Sequence, residues 1–348
     1  MTGIFLQRMV ENLPEGSLPA NWADFDLETF SRGKKLYEYQ QTALRNALLA
    51  LWKYYAPQEM EGGLKRAYLA WYQDFGLEAN LDLPLDRSSA AKRRLANLLE
   101  SYYTSVDDKL PYEQFINRMS FWMATGSGKT LVIVKLLEIL HGLIGRGEIP
   151  GHDILVLAHR DDLLEQLRQH VNEFNAGGGL YIKLRELREY ADVKREAPSL
   201  FGGQEITVFY YRSDNLSDDQ KEKIIDFRSY DNHGRWYILL DEAHKGDKED
   251  SKRQYIYSIL SRNGFLFNFS ATFTDERDII TTIANYNLSE FVRKGHGKHI
   301  SVLKQEVRAF RSPLPPLERG GRADAPLLDR GGRTDAPLLD RGGRADAP

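Results

Sequence analysis

One octet constrains this chain more than anything else in it: Met123-Ala124-Thr125-Gly126-Ser127-Gly128-Lys129-Thr130. An apolar run, Met119 to Met123 interrupted only by Ser120, leads into it. A second apolar segment, Leu131-Val132-Ile133-Val134-Lys135-Leu136-Leu137, follows directly. The order is strand, glycine-rich turn, helix. Gly126 and Gly128 permit a turn tight enough to aim several backbone N–H groups at one anion, and the helix N-terminus behind them adds partial positive charge. In such a turn Thr125, Gly126, Ser127 and Gly128 form the cradle, Lys129 reaches the β- and γ-phosphates of a nucleotide, and the Thr130 hydroxyl binds Mg²⁺. A glycine pair beside a lysine is ordinarily a surface turn. The Gly-Lys-Thr ending, set between strand-like and helix-like segments, selects the phosphate-binding reading. The octet departs from the usual pattern at its first position, where Met123 replaces a glycine.

Composition narrows the class. With 348 residues, 42% apolar and 28% charged, the chain suits a soluble globular protein of one large or two ordinary domains. A formal net charge of −3 gives no global basic signature, so any nucleic-acid contact has to come from a local patch. The absence of cysteine excludes disulfides, thiolate zinc sites and cysteine nucleophiles, and it fits a reducing cytoplasm. The start, Met1-Thr2-Gly3-Ile4-Phe5-Leu6, has neither a basic stretch nor a long apolar core, and no apolar run reaches membrane-spanning length. A cytoplasmic protein without a membrane partner is expected.

Residues 1–35 read as an irregular lead-in punctuated by Pro14, Gly16 and Pro19. An amphipathic helix follows, with Leu44, Leu48, Leu51 and Trp52 on one face. Residues 54–112 read as a largely helical insertion. Leu95, Leu98, Leu99 and Tyr102 form one stripe, capped at Ser88 or Ser89, and Leu64, Tyr68, Trp71 and Tyr72 form a weaker one. A loop is expected between them over 81–86. Lys92-Arg93-Arg94 reads as a solvated face rather than a nucleic-acid contact. Beyond the octet, Ile154 to Ala158, Ile206 to Tyr211, Trp236 to Leu240 and Phe265 to Phe269 are short apolar runs suited to buried strands. Residues 175–204 are expected to be irregular, a polar helix is expected around 218–227, and residues 273–312 turn polar and basic. Strands alternating with helices, and polar residues clustered at strand ends, define a parallel α/β sheet with its ligand at the carboxyl edge. From Pro315 the sequence repeats with a period of 11, each unit carrying Gly-Gly and Pro; residues 311–348 read as a low-complexity, disordered tail.

Two of the strand ends carry chemistry. Asp241-Glu242 beside a phosphate loop would hold Mg²⁺ through Asp241 and deprotonate the attacking water through Glu242. A lone acidic strand end is common, but the upstream octet makes that account the minority one. His244 reads as a coupling residue rather than a metal ligand, because no second histidine lies at ligand spacing. Ser270 and Thr272 place short hydroxyls at a neighbouring strand end, within reach of the acidic pair or closing a simple turn.

Taken together, these segments resemble the motifs of a superfamily 2 helicase of the DEAH type. Met123 to Thr130 is similar to motif I, His159-Arg160-Asp161-Asp162-Leu163-Leu164-Glu165-Gln166 to motif Ia, Asp241-Glu242-Ala243-His244 to motif II, and Ser270-Ala271-Thr272 to motif III. The Met-Ala start and the run Phe269-Ser270-Ala271-Thr272-Phe273-Thr274 bring the chain nearest to the helicase-like subunit of type III restriction enzymes. The resemblance implies a RecA-like P-loop NTPase domain over residues 36–310 that uses ATP and Mg²⁺ on duplex DNA. It implies that Gln40, 89 positions before Lys129, reads the adenine edge, that Arg160 touches the DNA backbone, and that His244, Ser270 and Thr272 couple hydrolysis to strand movement. It further implies a second RecA-like domain carrying charge-stabilising arginines, and a nuclease. The repeats begin where these should start, so a truncated chain is expected, with a modification or specificity subunit, or a separate chain supplying the second RecA-like domain, as the implied partner. A nucleotide-binding module or gene remnant without turnover is the alternative. A small-molecule kinase is a third reading, opposed by Ser-Ala-Thr after the acidic strand.

Overall fold

A computed structural model describes residues 3–56, 63–196, 201–218, 224–243 and 252–295. All of them fall within one compact unit, Met1–His299. The repeat tail and His244 lie outside the described residues.

Seven parallel strands form the frame: β1 (Arg118–Met123), β2 (Asp153–Ala158), β3 (Tyr181–Glu186), β4 (Glu205–Arg212), β5 (Trp236–Asp241), β6 (Phe265–Ser270) and β7 (Thr282–Tyr286). Their spatial order is β7-β1-β6-β5-β2-β4-β3, and Phe201–Gly202 adds a short antiparallel edge on β4. Every residue of β2, β5 and β6 is buried, because helices cover both faces of a parallel sheet. The register levels the strand ends: Tyr286 lies beside Met123, Ser270 beside Trp122, Asp241 beside Ala158, and Ala158 beside Arg212. All the sequence clusters thereby reach one carboxyl edge.

The helices used below are α1 (Glu38–Tyr55), α2 (Gly63–Asp74), α3 (Ala90–Glu100), α4 (Lys129–Gly145), α5 (Asp161–Asn175) and α6 (Lys252–Leu260). Helix α4 is buried on nearly every side, from Val132 through Leu143, which explains its almost continuous apolar sequence. Its mid-helix cation, Lys135, is compensated: Nζ donates to the Thr29 carbonyl at 2.8 Å and pairs with Glu138 at 2.6 Å. In the insertion, Ser89 caps α3 by accepting from the Lys92 N–H, and the buried Tyr68 of α2 packs against Tyr54 of α1 and against the buried Tyr72 of its own helix. Arg93 and Arg94 are exposed.

Several expectations need correction. The N-terminal stretch is not irregular: Leu6–Glu11 is helical with Leu6, Met9 and Val10 buried, and the Phe5 N–H bonds the Ile280 carbonyl. A second turn, Ala20–Ala23, sends Trp22 to Glu148 at 2.6 Å. Elements this short carry too few turns for periodicity to reveal; tertiary packing holds them. Residues 175–204 contain β3 and the helix Tyr190–Glu196. Only Ile182 of β3 is buried, so this outer strand lacks an apolar run. Residues 219–223 of the polar helix expected around 218–227 lie outside the described set; of its described end, Ile225–Asp226 pairs with Leu216–Ser217 and a 3₁₀ turn covers Phe227–Tyr230. The expected loop at 81–86 pairs Leu83–Pro84 with Lys109–Leu110. The polar stretch after 273 supplies β7, flanked by the helices Glu276–Ile280 and Leu288–Arg293.

Candidate nucleotide site

The octet turns as its glycines require. Gly126 has φ +82° and Gly128 φ +78°, both left-handed, and Gly128 caps α4. Gly128 also has a steric reason to lack a side chain, since a Cβ there would come within 2.5 Å of Gln40 Nε2. Helix α4 begins at Lys129, so its unpaired N-terminal N–H groups face the carboxyl edge of the sheet.

The strand order decides what stands opposite. Inserting β6 between β1 and β5 separates the glycine-rich loop from Asp241 by two strand spacings, about 10 Å. That leaves a cleft of about 720 Å³ whose walls include Gly126, Lys129, Thr130, Asp241, Glu242 and Thr272. Lys129 is 8% exposed, and its Nζ lies 3.5 Å from the Met123 carbonyl oxygen and 3.7 Å from Glu242 Oε1. Glu242 has φ +62°, an unusual conformation for a residue with a side chain, costing about 1–3 kcal/mol, and its N–H bonds Asp241 Oδ1 at 3.0 Å. The sharp turn separates the two neighbouring carboxylates, so that Asp241 stays buried while Glu242 reaches Lys129.

Asp241 is held at a pKa of about 6. Burial is the main cause; Lys129 and the Glu242 N–H oppose it, while the Glu242 charge adds to it. An acid raised above its unfolded value of 3.8 binds its proton more tightly when folded, so stability falls as pH rises from 3.8 to about 6 and then levels. Asp241→Asn is therefore expected to stabilise the nucleotide-free chain above that window by roughly 1–3 kcal/mol. Paired denaturant titrations of variant and wild type from about pH 4 to about pH 8 test the point. A difference that does not grow with pH would sink it.

The oxygens present suit Mg²⁺, which prefers one or two carboxylates together with water and phosphate oxygens over a protein cage. Thr130 Oγ1 and the buried Asp241 carboxyl both line the cleft, and burial of that carboxyl is the kind of strain a cation relieves. Among the described residues no three His, Cys, Asp or Glu side chains gather as a metal cage. Ser127 Oγ is buried in the loop without a hydrogen-bond partner.

The other expected residues fall nearby in different settings. Gln40 is 1% exposed; its Oε1 accepts from the Tyr37 N–H at 2.8 Å and its Nε2 donates to the Ser127 carbonyl at 2.9 Å. It stands behind the phosphate loop. Beside it Tyr39 donates to the same Ser127 carbonyl at 2.7 Å and stacks on Tyr286, ring centroids 3.9 Å apart. Ser270 is fully buried and its hydroxyl closes a turn onto the Thr272 backbone, which leaves the exposed Thr272 in the cleft wall. Arg160 sits at the start of α5 on the cleft rim, its guanidinium paired with Asp162. Sequence reasoning did not single out Gln166 and His170, which α5 also brings to the cleft. Gln166 lay in the motif Ia run, but nothing local tells which helix face meets the loop.

A seven-stranded parallel sheet with a glycine-rich loop after one strand and an acidic pair at the end of another, two strands away, defines a RecA-like, helicase-like α/β domain. The family model for the type III restriction enzyme, res subunit, matches residues 33–275, and the chain belongs to that family. Comparison with curated proteins gives no match. No helix among the described residues is long and apolar enough to cross a membrane.

Proposed function

We propose that this domain binds Mg-ATP and hydrolyses it as the motor half of a DEAH-type DNA helicase or translocase. One observation carries the reading: Lys129 at the head of α4 and Glu242 at the end of β5 meet at 3.7 Å across a cleft that also holds Thr130 and Asp241. A general base and a phosphate-binding cation brought that close serve one phosphoryl group. The loop N–H groups of Thr125 to Gly128 cradle the phosphates, and the Lys129 ammonium draws the β- and γ-oxygens toward the strand edge. Glu242 orients a water and takes its proton as the water oxygen attacks the γ-phosphorus. The bond from that phosphorus to the bridging oxygen then breaks, leaving ADP and phosphate. Thr130 and Asp241 would hold Mg²⁺, which would neutralise charge on the phosphate oxygens. Gln40 serves the adenine side, braced against the loop it supports. Thr272, with Ser270 shaping its turn and His244 beyond the acidic pair, couples the γ-phosphate to movement.

Duplex DNA is the proposed polymer, engaged through backbone contacts that include Arg160 at the same sheet edge. A second RecA-like domain, in another chain or elsewhere in the assembly, is the proposed partner for strand movement. Steady-state ATP hydrolysis by the purified protein, with and without duplex DNA, tests this reading. DNA-stimulated, Mg²⁺-dependent turnover is the expected result. Nucleotide binding without turnover would favour a binding module.

A further inference from the structure

The Thr130 hydroxyl finds its partner on another helix. A threonine inside a helix can return its hydroxyl hydrogen to a carbonyl three or four residues back, but Thr130 is only the second residue of α4, so those carbonyls belong to the loop. Three residues back from Thr130 is Ser127, whose carbonyl already accepts from Tyr39 OH at 2.7 Å and Gln40 Nε2 at 2.9 Å. A carbonyl oxygen has two lone pairs, and these two donors engage both. Thr130 Oγ1 instead donates to Gln166 Oε1 of α5 at 3.1 Å. A hydroxyl carries one hydrogen and two lone pairs, so giving the hydrogen to Gln166 leaves the oxygen's lone pairs for a cation. The reverse polarity would aim a hydrogen at the metal.

We propose that Gln166 is a positioning residue for the divalent cation: it fixes the Thr130 hydroxyl so that its lone pairs are available to Mg²⁺. This rests on the reading of the cleft as an Mg-ATP site. Gln166 is exposed and Thr130 is 6% exposed, so the contact orients the hydroxyl without supporting the core.

The test is a fluorescent-ATP titration of the full chain at a series of Mg²⁺ concentrations and again in chelator, which reads cation binding without turnover. Gln166→Leu, close in size but without an acceptor, should raise the Mg²⁺ concentration for half-maximal binding roughly three- to tenfold. Its affinity for metal-free nucleotide should be unchanged. Gln166→Glu keeps an acceptor and should stay at or below the wild-type Mg²⁺ requirement. Equal weakening of Gln166→Leu with and without metal would mean a packing role and overturn the inference. So would an unchanged Mg²⁺ requirement against a metal-dependent wild type, which would leave the nucleotide site itself standing. A wild type that binds nucleotide equally with and without Mg²⁺, or not at all, would overturn both.

Discussion

Replacing Lys129 with alanine is expected to raise the nucleotide Kd by at least about a hundredfold while the fold survives. An ammonium group offers three donors, and each hydrogen bond from a charged group to phosphate is worth about 1.5–3 kcal/mol, so losing two exceeds a factor of one hundred. The group is 8% exposed, so little water stands ready to replace it. The fold should tolerate the change because Lys129 occupies the first turn of α4, where its ammonium lies beside the Met123 carbonyl and the Glu242 carboxylate at the cleft, and alanine is the better helix former. Fluorescent-nucleotide titration together with circular dichroism reads both halves of the prediction. Nucleotide binding at the wild-type level would remove the phosphate-loop assignment.

Glu242→Gln is expected to separate binding from chemistry. The amide keeps the shape of the side chain and its left-handed turn, φ +62°, but takes up no proton at neutral pH. A positioned general base contributes about 10²–10⁴ in rate, and kcat should fall by that factor while the nucleotide Kd stays near wild type. Phosphate release under saturating ATP is the measurement. The variant also loses the charge facing Lys129 at 3.7 Å, which frees the ammonium for phosphate, so any change in affinity should be toward tighter binding. Hydrolysis at the wild-type rate would show that another group takes the proton.

Much of the candidate site could be marked from the sequence because its residues are consecutive. Gly126, Gly128, Lys129 and Thr130 announce an anion cradle through backbone freedom and spacing alone, and the buried runs ending in Asp241 and Ser270 mark their strands through unbroken apolarity. Strand β3 was hidden for the opposite reason. Lys183, Arg185 and Glu186 interrupt it, since an outer strand buries little. The helix Leu6–Glu11 gave no warning either, because its place depends on Ile280, far along the chain.

By itself, then, the sequence determined the fold class and singled out the glycine-rich loop and the acidic pair as candidates, all of which rest on local spacing and on the period of burial. The tertiary structure alone decided which of these groups act together. Strand order set β6 between β1 and β5 and opened the cleft. Packing across 87 positions turned Gln40 onto Ser127, and packing across 36 positions gave Thr130 its partner in Gln166. Such contacts depend on how distant segments cross in space, and hydrophobic periodicity along one segment carries no information about which partner its polar face will meet.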